Sequence, residues 1–225
     1  LKKMKESNDN DDNLLVKYPD ETEVRIKVVL IGESGVGKTS LISQFENGKF
    51  DADVTPTNGA TFVTKRIELE EEKKGITFEL WDTAGQERYR SLSQMFFKDA
   101  NAALIVYDIT NEKSFKEIQN YWVGFLRENG PRDIIAYLVG NKFDLSGQAV
   151  VDEKNAKEYA EEQDIVYWAT SSKDPRTVSE LFRDIGKQYL SPRYSNSEEN
   201  KERKKREVEK ININQDIQRE KNDIE

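Results

Sequence analysis

The sequence predicts an α/β domain built on a mostly parallel sheet with helices on both faces. Three observations indicate this class: strands alternate with helices, several strands are apolar at nearly every position, and the helices have the length that connects parallel strands. In such sheets ligands bind at the carboxyl ends of the strands. The loops that follow the strands are therefore where function is expected.

The first predicted element is a strand over residues 24–31, which alternates apolar and polar side chains and then becomes wholly apolar. A helix is predicted over 39–45, and a polar loop with glycine and proline follows over 47–59. Strands over 61–69 and 76–81 come next. The charged turn between them is short, so this pair is predicted to be an antiparallel hairpin.

The second half of the domain contains three more strands, each followed by a helix. Strands are predicted over 102–107, 134–139 and 165–168, and helices over 114–126, 152–163 and 178–190. The first of these helices carries Phe115, Ile118, Trp122 and Phe125 on one face. The second begins at Asp152, whose side chain can accept hydrogen bonds from the first-turn amides.

Composition places this domain between two polar extensions. The chain has 225 residues, of which 36% are hydrophobic and 35% charged, so a core requires the charges to concentrate outside it. They concentrate near the two ends. We therefore predict a polar N-terminal extension over 1–23, one domain over 24–191, and a charged extension over 192–225 that is disordered or becomes helical on a partner.

The absence of cysteine and histidine excludes several kinds of chemistry. Disulfides, zinc sites with thiolate or imidazole ligands, and Ser-His-Asp catalysis all require these residues. Any metal must be a hard cation on oxygen ligands. The net charge of −8 argues against nucleic-acid binding, which needs clustered lysine and arginine. No apolar run reaches the length of a membrane span, and we expect a cytoplasmic setting.

A glycine-rich loop after the first strand fits the phosphate-binding pattern G-x4-G-K-[ST]. Its glycines allow successive backbone amides to surround phosphates, and the following helix presents its positive end. A glycine-rich turn can match the pattern by chance, but the strand–loop–helix context disfavours that alternative. The candidate residues are Gly32, Ser34, Gly35, Val36, Gly37, Lys38, Thr39 and Ser40.

A second group of candidates follows the strand that ends near Trp81. Asp82 can hold magnesium through its bound water, the Gly85 amide can bind a γ-phosphate, and Gln86 can orient an attacking water. The alternative is a strand-terminal aspartate that caps a helix. That alternative would be favoured if this were the only motif in the chain.

Two further groups predict that the base of the nucleotide is guanine. In Asn141-Lys142-Phe143-Asp144, the carboxylate can accept from both the ring N–H and the exocyclic amino group of guanine, a donor pair that adenine lacks. The backbone of Ser171-Ser172-Lys173 can meet guanine O6. Each tetrapeptide or tripeptide alone is weak, but four motifs in this order, each after a predicted strand, are not a coincidence.

Residues 25–190 thus resemble the G domain of the Ras superfamily, a P-loop NTPase fold. The sequence WDTAGQERYRSL at 81–92 resembles the Rab branch, and GATF at 59–62 and YDITNEKSF at 107–115 are most similar to Rabs of the early-endosomal group. The resemblance implies six strands, one of them antiparallel, and binding of GTP or GDP with Mg²⁺. It also implies that Phe50 stacks on guanine, that Thr57 joins Thr39 and Asp82 at magnesium, and that Gln86 is catalytic.

The chain departs from the Rab pattern at a few positions. Asn58 stands where isoleucine is usual, Phe96 and Phe97 replace a tyrosine pair, and Ser172 replaces alanine, which we expect to be a small change. None of these is a magnesium ligand, Lys38 or Gln86. Nucleotide binding and hydrolysis are therefore expected to be intact, whereas partner choice is open.

Two cellular roles remain open at this stage. The first is a slow GTPase switch that recruits effectors in vesicle traffic and meets them, an exchange factor and an activating protein through residues 50–62 and 84–97. The second is an adaptor subunit of a large cytoskeletal or ciliary assembly held by the terminal extensions. Because the chain has no cysteine and no Met-Gly start, we expect no lipid anchor and association with a membrane surface, cytoskeleton or cilium through partners. A small-molecule P-loop kinase is excluded by the base-reading motif.

Overall fold

A computed structural model describes residues 24–51, 61–82 and 96–197, together with 201, 202 and 205. The described residues form a six-stranded sheet in the order β2-β3-β1-β4-β5-β6, in which only the β2–β3 pair is antiparallel. This arrangement confirms the predicted fold class. The strands are β1 (Val24–Ile31), β2 (Thr61–Leu69), β3 (Lys74–Asp82), β4 (Ala102–Asp108), β5 (Ile135–Asn141) and β6 (Val166–Ala169).

Helices lie between the strands and after the last strand. They are α1 (Lys38–Asn47), α2 (Glu112–Glu117), α3 (Val123–Asn129), α4 (Glu153–Glu162), α5 (Pro175–Leu190) and α6 (Pro192–Ser195), with a π turn over Ile118–Trp122 and a 3₁₀ turn over Phe143–Gln148. Asp152 caps α4 as predicted, since its side chain accepts from the Asn155 backbone N–H at 3.0 Å. In the described part of the chain, no helix combines the length and the apolar character needed to cross a membrane.

The alternation along β1 explains why helices cover both faces of the sheet. Ile26, Val28 and Leu30 belong to one buried cluster, which also contains residues of α1 and α5. Val29 and Ile31 belong to a second cluster, which contains residues of α2, α3 and α4. Each face of this central strand thus needs its own layer of helices to remove it from water.

The helix predicted over 114–126 differs in the structure, where three consecutive helical segments replace it. At the π turn the Val123 N–H donates to the Ile118 carbonyl, five residues back, instead of four. After this turn Val123 and Leu126 are buried, while Phe125 is half-buried and packs against the same cluster. The predicted apolar face therefore packs on the sheet as expected, and Val123 and Leu126 are buried beside it.

Strands β3, β4, β5 and β6 each end one or two residues later than the pattern predicts. β3 continues to Asp82 and β5 to Asn141, because the ladder pairs Leu30 with Asp82 and Asp108 with Asn141. The sheet thereby holds two polar side chains at its carboxyl edge. Both side chains are almost fully buried, with 1% of Asp82 and 1% of Asn141 exposed.

The described residues after α5 pack back onto the domain. Tyr194 in α6 is 6% exposed, its ring centroid lies 4.9 Å from that of Tyr189, and its hydroxyl lies 3.3 Å from Asn101 Nδ2. The domain boundary at residue 191 stays a prediction.

Candidate functional site

The loops that follow β1, β5 and β6 converge at the carboxyl edge of the sheet, beside the end of β3. The connecting contacts are short: Asn141 bonds to the loop after β1, and the Phe143 N–H donates to the Thr170 carbonyl at 3.0 Å. Sequence reasoning predicted function in these loops. The structure brings their polar residues together.

The loop over residues 32–37 requires glycine at two positions, because a side chain at either one would collide with a neighbouring group. Gly32 has a φ of +138°, and a Cβ there would lie 2.2 Å from the Val106 carbonyl oxygen. Gly37 has a φ of +96°, and a Cβ there would lie 2.3 Å from Asn141 Nδ2. Ser34 and Gly35 form the exposed tip, whereas Val36 is buried beneath it.

Helix α1 begins directly after this loop and has no side-chain cap. Its N-cap residue is Gly37, which has no side chain to accept from the first-turn amides, and its described first turn contains no acidic residue. Thr39 and Ser40 lie in this turn and are half-buried. The missing side-chain cap and the positive end of the helix dipole therefore favour an anion at this end of α1.

Lys38 supplies the positive charge under the loop. Its Nζ donates to the carbonyl oxygens of Gly32 and Glu33, both at 2.8 Å, so the loop is wrapped around the ammonium group. Burial lowers the pKa of Lys38 to about 8, although the carboxylates of Asp82 and Glu33 act in the opposite direction. An anion bound in the loop would favour the charged ammonium group that burial penalises.

Thr39 and Asp82 form an oxygen-rich pair beside Lys38. Thr39 Oγ1 donates to Asp82 Oδ2 at 2.5 Å. Burial raises the pKa of Asp82, against the lowering effects of the Thr39 hydrogen bond and the Lys38 charge. Among the described residues, nothing bonds to the other buried oxygen, Asp82 Oδ1. A buried acceptor in this state fits a hard divalent cation, because magnesium prefers carboxylate and hydroxyl oxygens.

Asn141 connects the loop of residues 32–37 to the loop after β6. Its Nδ2 donates to the Val36 carbonyl at 2.8 Å. Its Oδ1 accepts from the Ser172 backbone N–H and from the Ser172 hydroxyl, each at 3.2 Å. One buried amide thus joins two loops that are 105 and 31 residues from it in sequence.

Asp144 lies beside this connection with its carboxylate already held. Ser171 Oγ donates to Oδ1 at 2.6 Å, and Lys173 Nζ lies 2.9 Å from Oδ2. Burial alone would raise the pKa of Asp144, but the hydrogen bond from Ser171 and the hydrogen bond and charge of Lys173 outweigh it and lower the pKa. Lys173 Nζ also lies 5.5 Å from the ring centroid of Phe50, which is 40% exposed.

Asp108 belongs to the same edge and was missed by sequence reasoning. It is the last residue of β4 and is 6% exposed. Its Oδ2 lies 2.6 Å from Lys142 Nζ, and its Oδ1 accepts from the Thr110 N–H and hydroxyl at 2.8 and 2.7 Å. The signal was available, since Asp108 ends an apolar strand just as Asp82 does.

An aromatic strip crosses the outer end of β2 and β3. The ring centroids of Phe62 and Trp81 lie 5.0 Å apart, and those of Trp81 and Phe96 lie 5.8 Å apart. Phe62 is 50% exposed. We call Phe62, Trp81 and Phe96 the aromatic strip.

Several predicted site residues lie outside the described residues. They are Thr57, Gly85 and the catalytic candidate Gln86, together with Asn58. Of the first predicted partner segment, 50–62, the structure describes residues 50, 51, 61 and 62. Of the second, 84–97, it describes residues 96 and 97.

Comparison with known proteins gives one family and a set of named relatives. The model of the Ras family matches residues 27–191. Ras-related protein Rab-22A of Homo sapiens is 42% identical over 166 residues, which is 74% of this chain and 84% of the relative. Ras-related protein Rab-31 of Homo sapiens is 44% identical over 163 residues, 72% and 82% of the two chains. Ras-related protein RABG3b of Arabidopsis thaliana is 42% identical over 172 residues, 74% and 84%.

Proposed function

This chain belongs to the Ras family of GTPases, among its Rab-type members, and on that basis we propose that it is a GTP-hydrolysing switch that recruits effectors in vesicle traffic. In this proposal GTP and GDP bind at the edge of the sheet where β1, β3, β5 and β6 end. The phosphates lie on the loop of residues 32–39, and the guanine base lies between Phe50 and the loops after β5 and β6.

The proposal rests mainly on the hydrogen bonds of Asn141 and on the carboxylate of Asp144 in the same loop. Asn141 ties the phosphate loop to the base loops through Val36 and Ser172. Asp144 lies in the loop that follows Asn141, and its carboxylate is held by Ser171 and Lys173. A carboxylate in the loop after β5 can accept from two neighbouring N–H donors of a base, and guanine has that pair whereas adenine lacks it.

We assign magnesium to Thr39, Asp82 and, by the family resemblance, Thr57. The hydroxyl of Thr39 and the unpartnered oxygen of Asp82 are the ligand type that magnesium requires. When bound, the ion neutralises charge on the β and γ phosphate oxygens. Lys38 contributes a second positive charge. Its ammonium group can donate to the same phosphate oxygens when it gives up its hydrogen bonds to the carbonyl oxygens of Gly32 and Glu33.

The proposed switch depends on residues 50–62 and 84–97. In the GTP state Thr57 and the Gly85 amide contact the γ-phosphate, and hydrolysis releases both segments. Gln86 orients the attacking water. The motifs supply no arginine in cis, so we expect slow intrinsic turnover of roughly 10⁻⁴ to 10⁻² per second and ~10³–10⁵-fold acceleration by an activating protein, values that are those known for this superfamily.

The aromatic strip supports the assignment of a partner surface to this side of the domain. Phe62 and Phe96 fall within the two switch segments, and Trp81 connects them across β3. An exposed aromatic side chain within a proposed switch segment offers a partner a large apolar contact that changes with the nucleotide.

Phe62→Ala should weaken GTP-dependent effector binding by at least about tenfold and leave unfolding nearly unchanged, because the side chain is half exposed. The measurement is affinity capture on immobilised protein loaded with a non-hydrolysable GTP analogue or with GDP, quantified for each captured protein. Val150→Ala removes an exposed apolar side chain elsewhere, 59% exposed, and serves as the matched control. An unchanged set of GTP-dependent partners on Phe62→Ala would contradict this assignment.

The function itself is tested by identifying the nucleotide that co-purifies with the protein and measuring its turnover. We expect GDP or GTP in near-equimolar amount by chromatography, release on magnesium chelation, and slow single-turnover conversion of GTP. Lys38→Ala should purify with little or no nucleotide, because the ammonium beneath the loop is lost. Recovery of adenine nucleotide, or of no nucleotide from the parent chain, would contradict the proposal.

Neither the described residues nor the named relatives add support to the alternative of a cytoskeletal or ciliary adaptor subunit. The proposal therefore remains with the switch.

A further inference from the structure

Ser172 makes one contact that alanine could not make at this position. It is 4% exposed and lies at the carboxyl end of β6, in the loop proposed to face the base. Its backbone N–H and its hydroxyl both donate to Asn141 Oδ1, each at 3.2 Å. The nearby Thr170 hydroxyl is engaged with Thr177 Oγ1 at 3.0 Å. Ser172 thus supplies both donors that we find on this oxygen within the described residues.

These contacts orient the Asn141 amide. With Oδ1 toward the two Ser172 donors, Nδ2 points to the Val36 carbonyl at 2.8 Å. Rotating the amide by 180° would place its NH₂ group against the Ser172 N–H and its oxygen against the Val36 oxygen. The same NH₂ group occupies the space that Gly37 leaves by lacking a Cβ. Ser172 is therefore connected through one side chain to the backbone of the phosphate loop.

The two donors of Ser172 are not equivalent when a guanine base is present. A backbone N–H in this loop can donate to guanine O6, and it then leaves Asn141 Oδ1. The hydroxyl is not needed by the base, so it can remain on the amide oxygen. A serine satisfies both acceptors at once, whereas an alanine must give up one of them, and a buried acceptor without a partner is costly.

We propose that Ser172 is a positioning residue whose hydroxyl holds Asn141 against the phosphate loop while the base is bound, and that it thereby slows nucleotide release. This inference rests on the proposed guanine-nucleotide site. It also means that serine, where alanine is usual, changes the rate of nucleotide release. Only a small effect of this difference is expected from the sequence.

The hydroxyl matters specifically in the bound state. Without nucleotide, the Ser172→Ala variant keeps the backbone N–H as a donor to Asn141 Oδ1. With nucleotide, that donor turns to the base and the amide oxygen loses its partner. The substitution should therefore weaken the complex and leave the nucleotide-free chain almost unaffected, a difference that a purely structural serine would not produce.

The test is the dissociation rate of fluorescently labelled GDP and IDP from the magnesium-loaded full chain. IDP lacks the exocyclic amino group that Asp144 reads but keeps the O6 carbonyl. We expect Ser172→Ala to release both nucleotides about three- to tenfold faster than the parent, by the same factor for each. Ser172→Thr, which keeps the hydroxyl, should release them at close to the parent rate.

Two matched variants make the result specific. Ser146→Ala removes an exposed hydroxyl from the neighbouring turn and should leave both rates unchanged. Ser171→Ala removes a donor to Asp144 and should reduce the preference for GDP over IDP, a ratio that Ser172→Ala leaves intact. Unfolding midpoints of the nucleotide-free variants are measured alongside.

Equal release rates for Ser172→Ala and the parent would overturn the inference, and so would a large loss of stability in the nucleotide-free Ser172→Ala chain. Failure of the parent to bind either labelled nucleotide would instead overturn the proposed function. The two failures are therefore distinguishable.

Discussion

Asp144→Asn should abolish the preference for guanine and create a preference for xanthine nucleotides. The carboxylate offers two acceptors to the two donors of guanine, whereas an amide offers one acceptor and one donor. The amide NH₂ then opposes the exocyclic amino group of guanine but can donate to the oxygen that xanthine carries there. Loss of two charge-assisted hydrogen bonds should lower GDP affinity on the order of 10²–10⁴-fold.

Competition titration of GDP and XDP against the purified variant measures this change. Asp152→Asn is the matched control, because it makes the same substitution at the N-cap of α4, where asparagine caps as well as aspartate. The effect on folding should be small in both variants. An Asp144→Asn chain that still prefers GDP to XDP would show that this carboxylate does not read the base.

The second large effect is expected from Gln86→Leu, which should leave GTP binding intact and nearly abolish hydrolysis. Leucine is similar in size but has no amide to orient water, so an attacking water loses its position and single-turnover hydrolysis should fall by about 10²-fold. The hydrolysis rate in the presence of an activating protein should fall by a still larger factor. Gln86 lies outside the described residues, and its role here comes from the family resemblance.

Single-turnover hydrolysis of pre-bound GTP separates this effect from binding. Gln119→Leu makes the same exchange at an exposed position in the π turn and should hydrolyse GTP at the parent rate. Equal rates for Gln86→Leu and the parent would remove the catalytic role that we give to this side chain.

The fold class and the family could be predicted because both depend on local patterns. Apolar alternation along β1 and the spacing of Gly32, Gly37 and Lys38 are short-range features, and the comparisons confirm the resemblance to the Ras superfamily and its Rab branch. The antiparallel pairing of β2 and β3 could be predicted because the turn between these two strands is short. Each of these features is set by sterics and hydrogen bonding within a few residues.

Other features depend on pairing between distant segments and could not be predicted. The sequence pattern ended β5 at residue 139, yet the ladder with β4 continues to Asn141 and buries a polar side chain that an isolated segment would leave in water. The helix over 114–126 was predicted as continuous, because the spacing of Phe115, Ile118 and Trp122 carries no sign of the π turn.

By itself, the sequence determined the α/β fold class and predicted that the strand-terminal loops bind phosphate, magnesium and guanine, because those residue types and spacings have few other uses in one chain. Only the tertiary structure decided how the loops act together. It joins Val36, Asn141 and Ser172 through one buried amide and pairs Lys142 with Asp108. The reason is physical: hydrogen bonds between residues far apart in sequence form only when the sheet brings the ends of its strands to one edge.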